Sequence, residues 1–129
     1  MSHLLDTNFV IGLLRGVSSY WEYLDKLVEQ DIPSISAVTR SEVFAGCHTH
    51  EERATTNLLS RFESIAVNAF IADLAGKYVY QFRKRGLTLH LEDALIGATA
   101  VVEGLTLVTR NVGHFPMLAL GKTLVRFPD

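Results

Sequence analysis

Three carboxylates in this chain stand where acids can do chemistry. Asp6 follows the apolar pair Leu4-Leu5 and precedes the apolar run from Phe9 to Leu14, which sets it at the junction of a buried strand and a helix. In an open α/β sheet, ligands bind in the crevice outside the carboxyl ends of the strands, so an acid at that junction can meet a substrate. Asp, Thr and Asn are also favoured helix N-caps, and Asp6-Thr7-Asn8 contains all three, so the triplet alone reads equally as a cap. Glu42 follows Ser36 closely, in the first two turns of the helix expected after a second strand, on a face shared with Val38 and Ala45. Its plain reading is a solvated surface acid. Asp93, with Glu92 beside it, opens the apolar segment Ala94 to Val102, where backbone N–H groups and the helix dipole favour negative charge.

Singly, each acid has a structural explanation; jointly, the three fall at positions that a doubly wound sheet can bring to one edge. Converging carboxylates repel one another and raise each other's pKa unless a cation offsets the charge. A divalent metal is the economical compensation, and oxygen-only ligands suit hard cations such as Mg²⁺ or Mn²⁺. Such a site can orient and deprotonate water and stabilise charge on a phosphate attacked in line.

The elements that must position these acids follow from apolar runs bounded by turn or cap residues, alternating with longer segments of helical period. That is the pattern of a parallel sheet flanked by helices. The expected strands are Ser2 to Leu5, Ser34 to Ser36, Ser64 to Ala66, Thr106 to Val108 and Leu124 to Phe127. Ser18 or Ser19 is expected to cap a helix with Tyr20, Leu24, Leu27 and Val28 inward, and Asn68 another with Phe70, Leu74, Val79 and Phe82 at helical spacing. A helix over Thr49 to Phe62 is polar at its start and lies partly exposed, while the segment Glu92 to Val102 is apolar nearly all round and reads as buried.

The 129 residues fit one domain over positions 1–129, and 48% hydrophobic content is enough for a real core. A formal charge of -2 gives no global basic field, so any nucleic-acid contact must come from a local patch. The single cysteine, Cys47, has no internal disulfide partner, and the start of the chain lacks the pattern of a secretory leader. No apolar stretch approaches a membrane span. The expectation is a soluble, cytoplasmic protein without a membrane partner.

With these residues in place, the chain resembles the PIN-domain ribonucleases, and among them the VapC-like toxins of toxin-antitoxin pairs. The strings that carry the resemblance are Leu4-Leu5-Asp6-Thr7-Asn8, Ser36-Ala37-Val38-Thr39-Arg40-Ser41-Glu42, Asp93-Ala94-Leu95-Ile96-Gly97-Ala98, and Leu107-Val108-Thr109-Arg110-Asn111 leading to His114-Phe115. Their order and spacing span almost the whole chain. The resemblance implies a three-layer α/β/α PIN-like fold with a central, mainly parallel sheet of four to five strands. It implies metal-dependent endoribonuclease activity, with Asp6, Glu42 and Asp93 as catalytic, Mg²⁺- or Mn²⁺-binding acids. It also implies an antitoxin whose basic C-terminal segment occupies the acidic site, and a toxin homodimer.

The chain departs from the family at one place. Where the family often has an aspartate this chain has Asn111, and where it has an acid just before the Phe matching Phe115 this chain has His114. A neutral carbonyl holds a second cation more weakly, which favours one well-formed metal site over two. Glu92 substitutes only partly, since it points about 100° away from Asp93 around the helix. Thr7, Thr109 and Asn111 are read as supporting or water-positioning groups, against the plain reading of loop polarity. The run Arg83-Lys84-Arg85, followed by the helix-stopping Gly86, and Arg110 are candidate contacts for RNA phosphates, against the plain reading of a solvated helix end.

Cys47-His48-x-His50 has zinc-ligand types but lacks a second spaced pair, which argues against zinc. His90 reads as a helix-start polar residue and His114 as a loop histidine near the site. Tyr20, Trp21 and Tyr23 cannot all face one stripe of a helix, so some are expected to be exposed to a partner. Two other functions compete. The missing acid favours a degenerate PIN module that binds RNA or protein without cutting. Aspartyl-phosphate chemistry on another α/β fold is disfavoured, because Asp6 has no second acid two positions on and no matching lysine and phosphate loop is found.

Overall fold

The computed structural model describes residues 3–128. Five strands, β1 (His3–Leu5), β2 (Ser34–Ser36), β3 (Glu63–Ile65), β4 (Thr106–Thr109) and β5 (Leu124–Arg126), form one sheet in the order β3-β2-β1-β4-β5. Every pairing is parallel, so all five carboxyl ends meet at one edge. The order reverses between β1 and β4, the switch point at which an α/β sheet opens a crevice. Six α-helices join the strands: α1 (Thr7–Leu14), α2 (Ser18–Val28), α3 (Ala37–Ala45), α4 (Glu52–Leu59), α5 (Ala69–Lys84) and α6 (Leu91–Glu103), with short 3-10 turns at Thr49–Glu51 and Val112–His114.

Successive strand side chains point to opposite faces, and the sequence uses that alternation to divide the core. Leu5, Ile35 and Val108 pack with Phe9, Val10 and Leu13 of α1 and with Leu24 and Leu27 of α2. Leu4, Leu107 and Leu124 pack on the other face with Ile96 and Ala100 of α6 and with Phe115. A third cluster, built from Ile71, Ala75 and Phe82 of α5 and Ala94 and Ala98 of α6, covers that second layer from outside. The three-layer arrangement expected from the sequence is the one observed. No described helix is long and apolar enough to cross a membrane.

Several local expectations change. Of the triplet Asp6-Thr7-Asn8, Asp6 alone is the cap: α1 starts at Thr7, whose N–H the Asp6 carboxylate accepts. The α2 cap is Val17 without a side-chain bond, and Ser18 already belongs to the helix. Val28 and Phe70 were both expected inward, yet Val28 is exposed in the last turn and Phe70 is 69% exposed in the first turn of α5. The segment Thr49 to Phe62 splits into a 3-10 turn and α4, and β3 begins one residue earlier than expected, at Glu63. Ser2 lies outside the described residues. In α6, Leu91 and Val101 are exposed, so that helix is not buried all round.

None of the aromatic trio is fully exposed. Tyr20 is buried, Trp21 donates its ring N–H to the Leu13 carbonyl at 3.0 Å, and Tyr23 stacks on Phe127 at 4.2 Å. Tyr23 reaches the core because Phe127, after β5, packs on it and on Phe9 and Tyr20 of α1 and α2, a long-range contact that helical periodicity does not encode. Gly12 permits the α1–α2 approach: a Cβ there would lie 2.5 Å from the Tyr20 ring. Asn68 caps α5 as expected, accepting from the Ile71 N–H, and Gly86 stops that helix at φ +79° with Leu87 N–H bonded to the Phe82 carbonyl.

Candidate active site

Parallel strand ends and helix starts converge on Asp6. Its backbone N–H is tied to the Val108 carbonyl at 3.0 Å, which locks the end of β1 to β4. One carboxylate oxygen accepts the Thr7 N–H at 2.8 Å and the other accepts the Thr109 hydroxyl at 2.6 Å. Asp6 is therefore cap and candidate ligand together, since each oxygen keeps a further lone pair for another partner. Only 6% of the residue is exposed. Burial pushes its carboxyl from the usual 3.8 up to about 6, against the two hydrogen bonds, and the charges of Asp93 and Glu42 push the same way.

Glu42, half-buried in the second turn of α3, accepts the Thr7 hydroxyl at 2.6 Å. Thr7 Oγ1 also lies 3.1 Å from Thr39 Oγ1. The one Thr7 proton is thus set between two acceptors, the fully buried Thr39 hydroxyl and the Glu42 carboxylate, and the shorter bond to the carboxylate is the stronger. Asp93 sits in the first turn of α6, with His114 Nδ1 3.4 Å from its Oδ2. Burial raises the Asp93 carboxyl; His114 opposes this, Glu42 and Glu92 add to it, and His90 opposes it again. The three acids thus act on one another electrostatically, and among the described residues no lysine or arginine pairs with any of them.

The donor chemistry fits a hard cation, because three mutually repelling carboxylates offer only oxygen. Among the described residues no three ligand-type side chains stand close enough to enclose an ion. An orphaned atom supports the fit. Thr109 Oγ1 spends its one proton on Asp6 and receives N–H groups from Asn111, at 3.0 Å, and from Asn8, at 3.4 Å. Only the amide nitrogen of Asn8 can face that oxygen, which leaves Asn8 Oδ1 buried with no partner. A buried acceptor without a donor, beside the acids, is suited to a water of hydration around a cation.

Of the supporting residues, Thr7 and Thr109 touch the acids directly, whereas Asn111 contributes its backbone N–H and has an exposed side chain. Glu92 is exposed and bears on Asp93 only through its charge. Arg83, Lys84 and Arg85 are exposed in the last turn and cap of α5, and Arg110 is exposed beyond β4. Thr39 and Asn8 escaped the sequence reading. Thr39 stands three residues before Glu42, a spacing that shares a helix face and was the available signal. Cys47, His48 and His50 do not form a metal cluster: the two imidazoles stack at 5.9 Å, and Cys47 Sγ lies 3.4 Å from the Thr55 hydroxyl.

Two cavities flank the acids. One of about 520 Å³ is bordered by Glu42, Arg15, Cys47, His48 and His50. The other, of about 200 Å³, is bordered by Asp93, His90, His114, Leu87, Leu89 and Pro116.

The family model described as the PIN domain matches residues 3–116. Ribonuclease VapC10 of Mycobacterium tuberculosis is 36% identical over 114 residues, covering 88% of this chain and 86% of the relative. The structure of VapBC2 from Rickettsia felis bound to a DNA fragment from its promoter superposes with a TM-score of 0.80 at 26% identity, covering 95% of this chain and 98% of that one. A toxin-antitoxin complex from Klebsiella pneumoniae gives a TM-score of 0.80 at 31% identity, covering 95% of each chain.

Proposed function

This chain belongs to the PIN-domain family, among the VapC ribonucleases, and from that membership we propose a metal-dependent endoribonuclease, the toxin of a toxin-antitoxin pair. Asp6, Glu42 and Asp93 are its catalytic acids and together hold one Mg²⁺ or Mn²⁺. The observation that carries the reading is the buried Asp6 carboxylate, held between Thr7 and Thr109 and pushed up to about 6 beside two more acids, with no lysine or arginine among the described residues paired to any of the three. When bound, the cation supplies charge neutralisation for a phosphodiester and lowers the pKa of water at neutral pH.

The chain's own residues do the positioning. Thr109 fixes the orientation of the Asp6 carboxylate, and Thr7, backed by Thr39, fixes that of Glu42, so two acids on different elements keep one relative placement. Asn8 Oδ1 offers an acceptor for a water proton. The basic turn at Arg83, Lys84 and Arg85, with Arg110, takes RNA phosphates away from the cutting site. The antitoxin reaches the same acids with a basic C-terminal segment, which the uncompensated negative charge favours, and the toxin acts as a homodimer.

Cleavage of a defined RNA in Mn²⁺ or Mg²⁺ tests the reading. Asp6→Asn and Asp93→Asn should each abolish the cut without unfolding the protein, and cleavage equal to the parent in both variants refutes it. Asn111, exposed and neutral where an acid is common in the family, favours a second reading in which the chain binds RNA or protein without cutting. Under that reading calorimetry shows no carboxylate-dependent cation binding.

A further inference from the structure

The cavity on the Asp93 side of the site joins an apolar wall to two imidazoles and one of the proposed metal acids. Its walls are Leu87, Leu89 and Pro116, which are apolar, and the imidazoles of His90 and His114, which are flat and polar at their edges. Its volume of about 200 Å³ is below the roughly 300–1,000 Å³ of pockets that enclose a drug-sized ligand, so it suits one planar ring system and not a whole nucleotide. Asp93, a proposed ligand of the cation, is part of the same wall, and His114 reaches it at 3.4 Å. The chain enters this wall straight from the basic turn: Arg83, Lys84 and Arg85 end α5, Gly86 reverses the backbone, and Leu87 is the first lining residue. Cationic groups for a backbone therefore adjoin an apolar slot with stacking edges, the combination that grips a single-stranded nucleic acid.

Resting on the ribonuclease reading above, we infer that this cavity is a base subsite, which seats one unpaired nucleobase of the RNA beside the bond to be cut. Leu87, Leu89 and Pro116 enclose the ring, and His90 and His114 stack on it or meet its hydrogen-bonding edge. A base can enter only if it is unstacked and unpaired, so the enzyme selects loops and single strands over duplex.

Gly113 gives a way to close the cavity while sparing the acids. It lines the cavity, its φ is not in the left-handed region, and a Cβ built there meets no atom within 4 Å. Binding is measured by fluorescence anisotropy in the full chain carrying Asp6→Asn, which keeps RNA intact. The probe is a short single-stranded RNA containing the bond that the parent cuts, made abasic at each position in turn. One position beside that bond should lose about tenfold or more in affinity when abasic, the loss expected for one stacked base. Adding Gly113→Leu should reduce the intact RNA to the affinity of that abasic RNA, while leaving the abasic RNA bound as before. Leu87→Ser, at an exposed wall position, should weaken the same dependence. A flat abasic profile overturns the inference, including the case of a cavity that serves only the antitoxin. Equal loss of intact and abasic RNA in Gly113→Leu also overturns it. The two readings fail separately: a parent that never cuts RNA sinks the ribonuclease, whereas a parent that cuts with a flat profile sinks only the subsite.

Discussion

Replacing Asp6 by Asn should make the metal-free protein more stable, and the gain should depend on pH. Asp6 holds its proton up to about pH 6 in the folded state and only to about 3.8 when unfolded. Below both values the two states bind the proton equally. Between them the folded state binds more, so stability falls as pH rises through that window and is flat above it. The interval is roughly two pH units at about 1.4 kcal/mol each, which puts the cost of the charged carboxylate near 3 kcal/mol above pH 7. Asn at the same place does not titrate. The difference between the parent and Asp6→Asn in urea denaturation should therefore shift by about 2–3 kcal/mol in favour of Asn between pH 4 and pH 7.5. The Asn amide still offers one oxygen to the Thr7 N–H but cannot accept from Thr109 with its nitrogen, an offset of about 1 kcal/mol that is the same at both pH values. Saturating Mn²⁺ stabilises only a protein that binds it, by about 2.7 kcal/mol at a hundred times Kd, so the cation should close the gap. A stability difference independent of pH, or one that widens in favour of the parent at pH 7.5, refutes the reasoning.

Thr109→Val should cost about 1–3 kcal/mol in denaturant midpoint, since it strands the Asn111 N–H, the Asn8 amide and one Asp6 oxygen, and should cut RNA cleavage more than tenfold. Gly12→Ala should lower stability by about 1–3 kcal/mol in thermal unfolding, because the added methyl meets the Tyr20 ring, with cleavage per folded molecule unchanged. Removing the charges of Arg83, Lys84 and Arg85 together should weaken RNA binding and make its dependence on log salt shallower by up to about two to three, measured by anisotropy across a salt series.

Strand faces and the acids were legible because both depend on local pattern. Leu4 and Leu5 alternate between two cores as period two requires, and Asp6 and Asp93 stand at or near helix starts while Glu42 lies in the second turn of α3. What the sequence hid depends on contacts between distant segments. Val28 and Phe70 satisfy helical periodicity yet stand exposed at a helix end, and Tyr23 is covered by Phe127, which lies at the far end of the chain. At the site, Asp6 presented cap and ligand as alternatives, whereas its oxygens, held by the Thr7 N–H and the Thr109 hydroxyl, each keep a lone pair, so the cap does not exclude the ligand role proposed for it. The orphaned Asn8 oxygen was invisible for a further reason: its meaning lies in counting the protons that Thr109 and the Asn8 amide have to give.

The account turns on Asp6, Glu42 and Asp93 sharing one divalent cation, and a calorimetric titration of Mn²⁺ into the parent and into Asp6→Asn, Glu42→Gln and Asp93→Asn addresses that directly. The parent should bind one equivalent, and each variant should lose most of the affinity while keeping its circular-dichroism spectrum. A parent that binds no Mn²⁺, or binding that survives unchanged in all three variants, contradicts it.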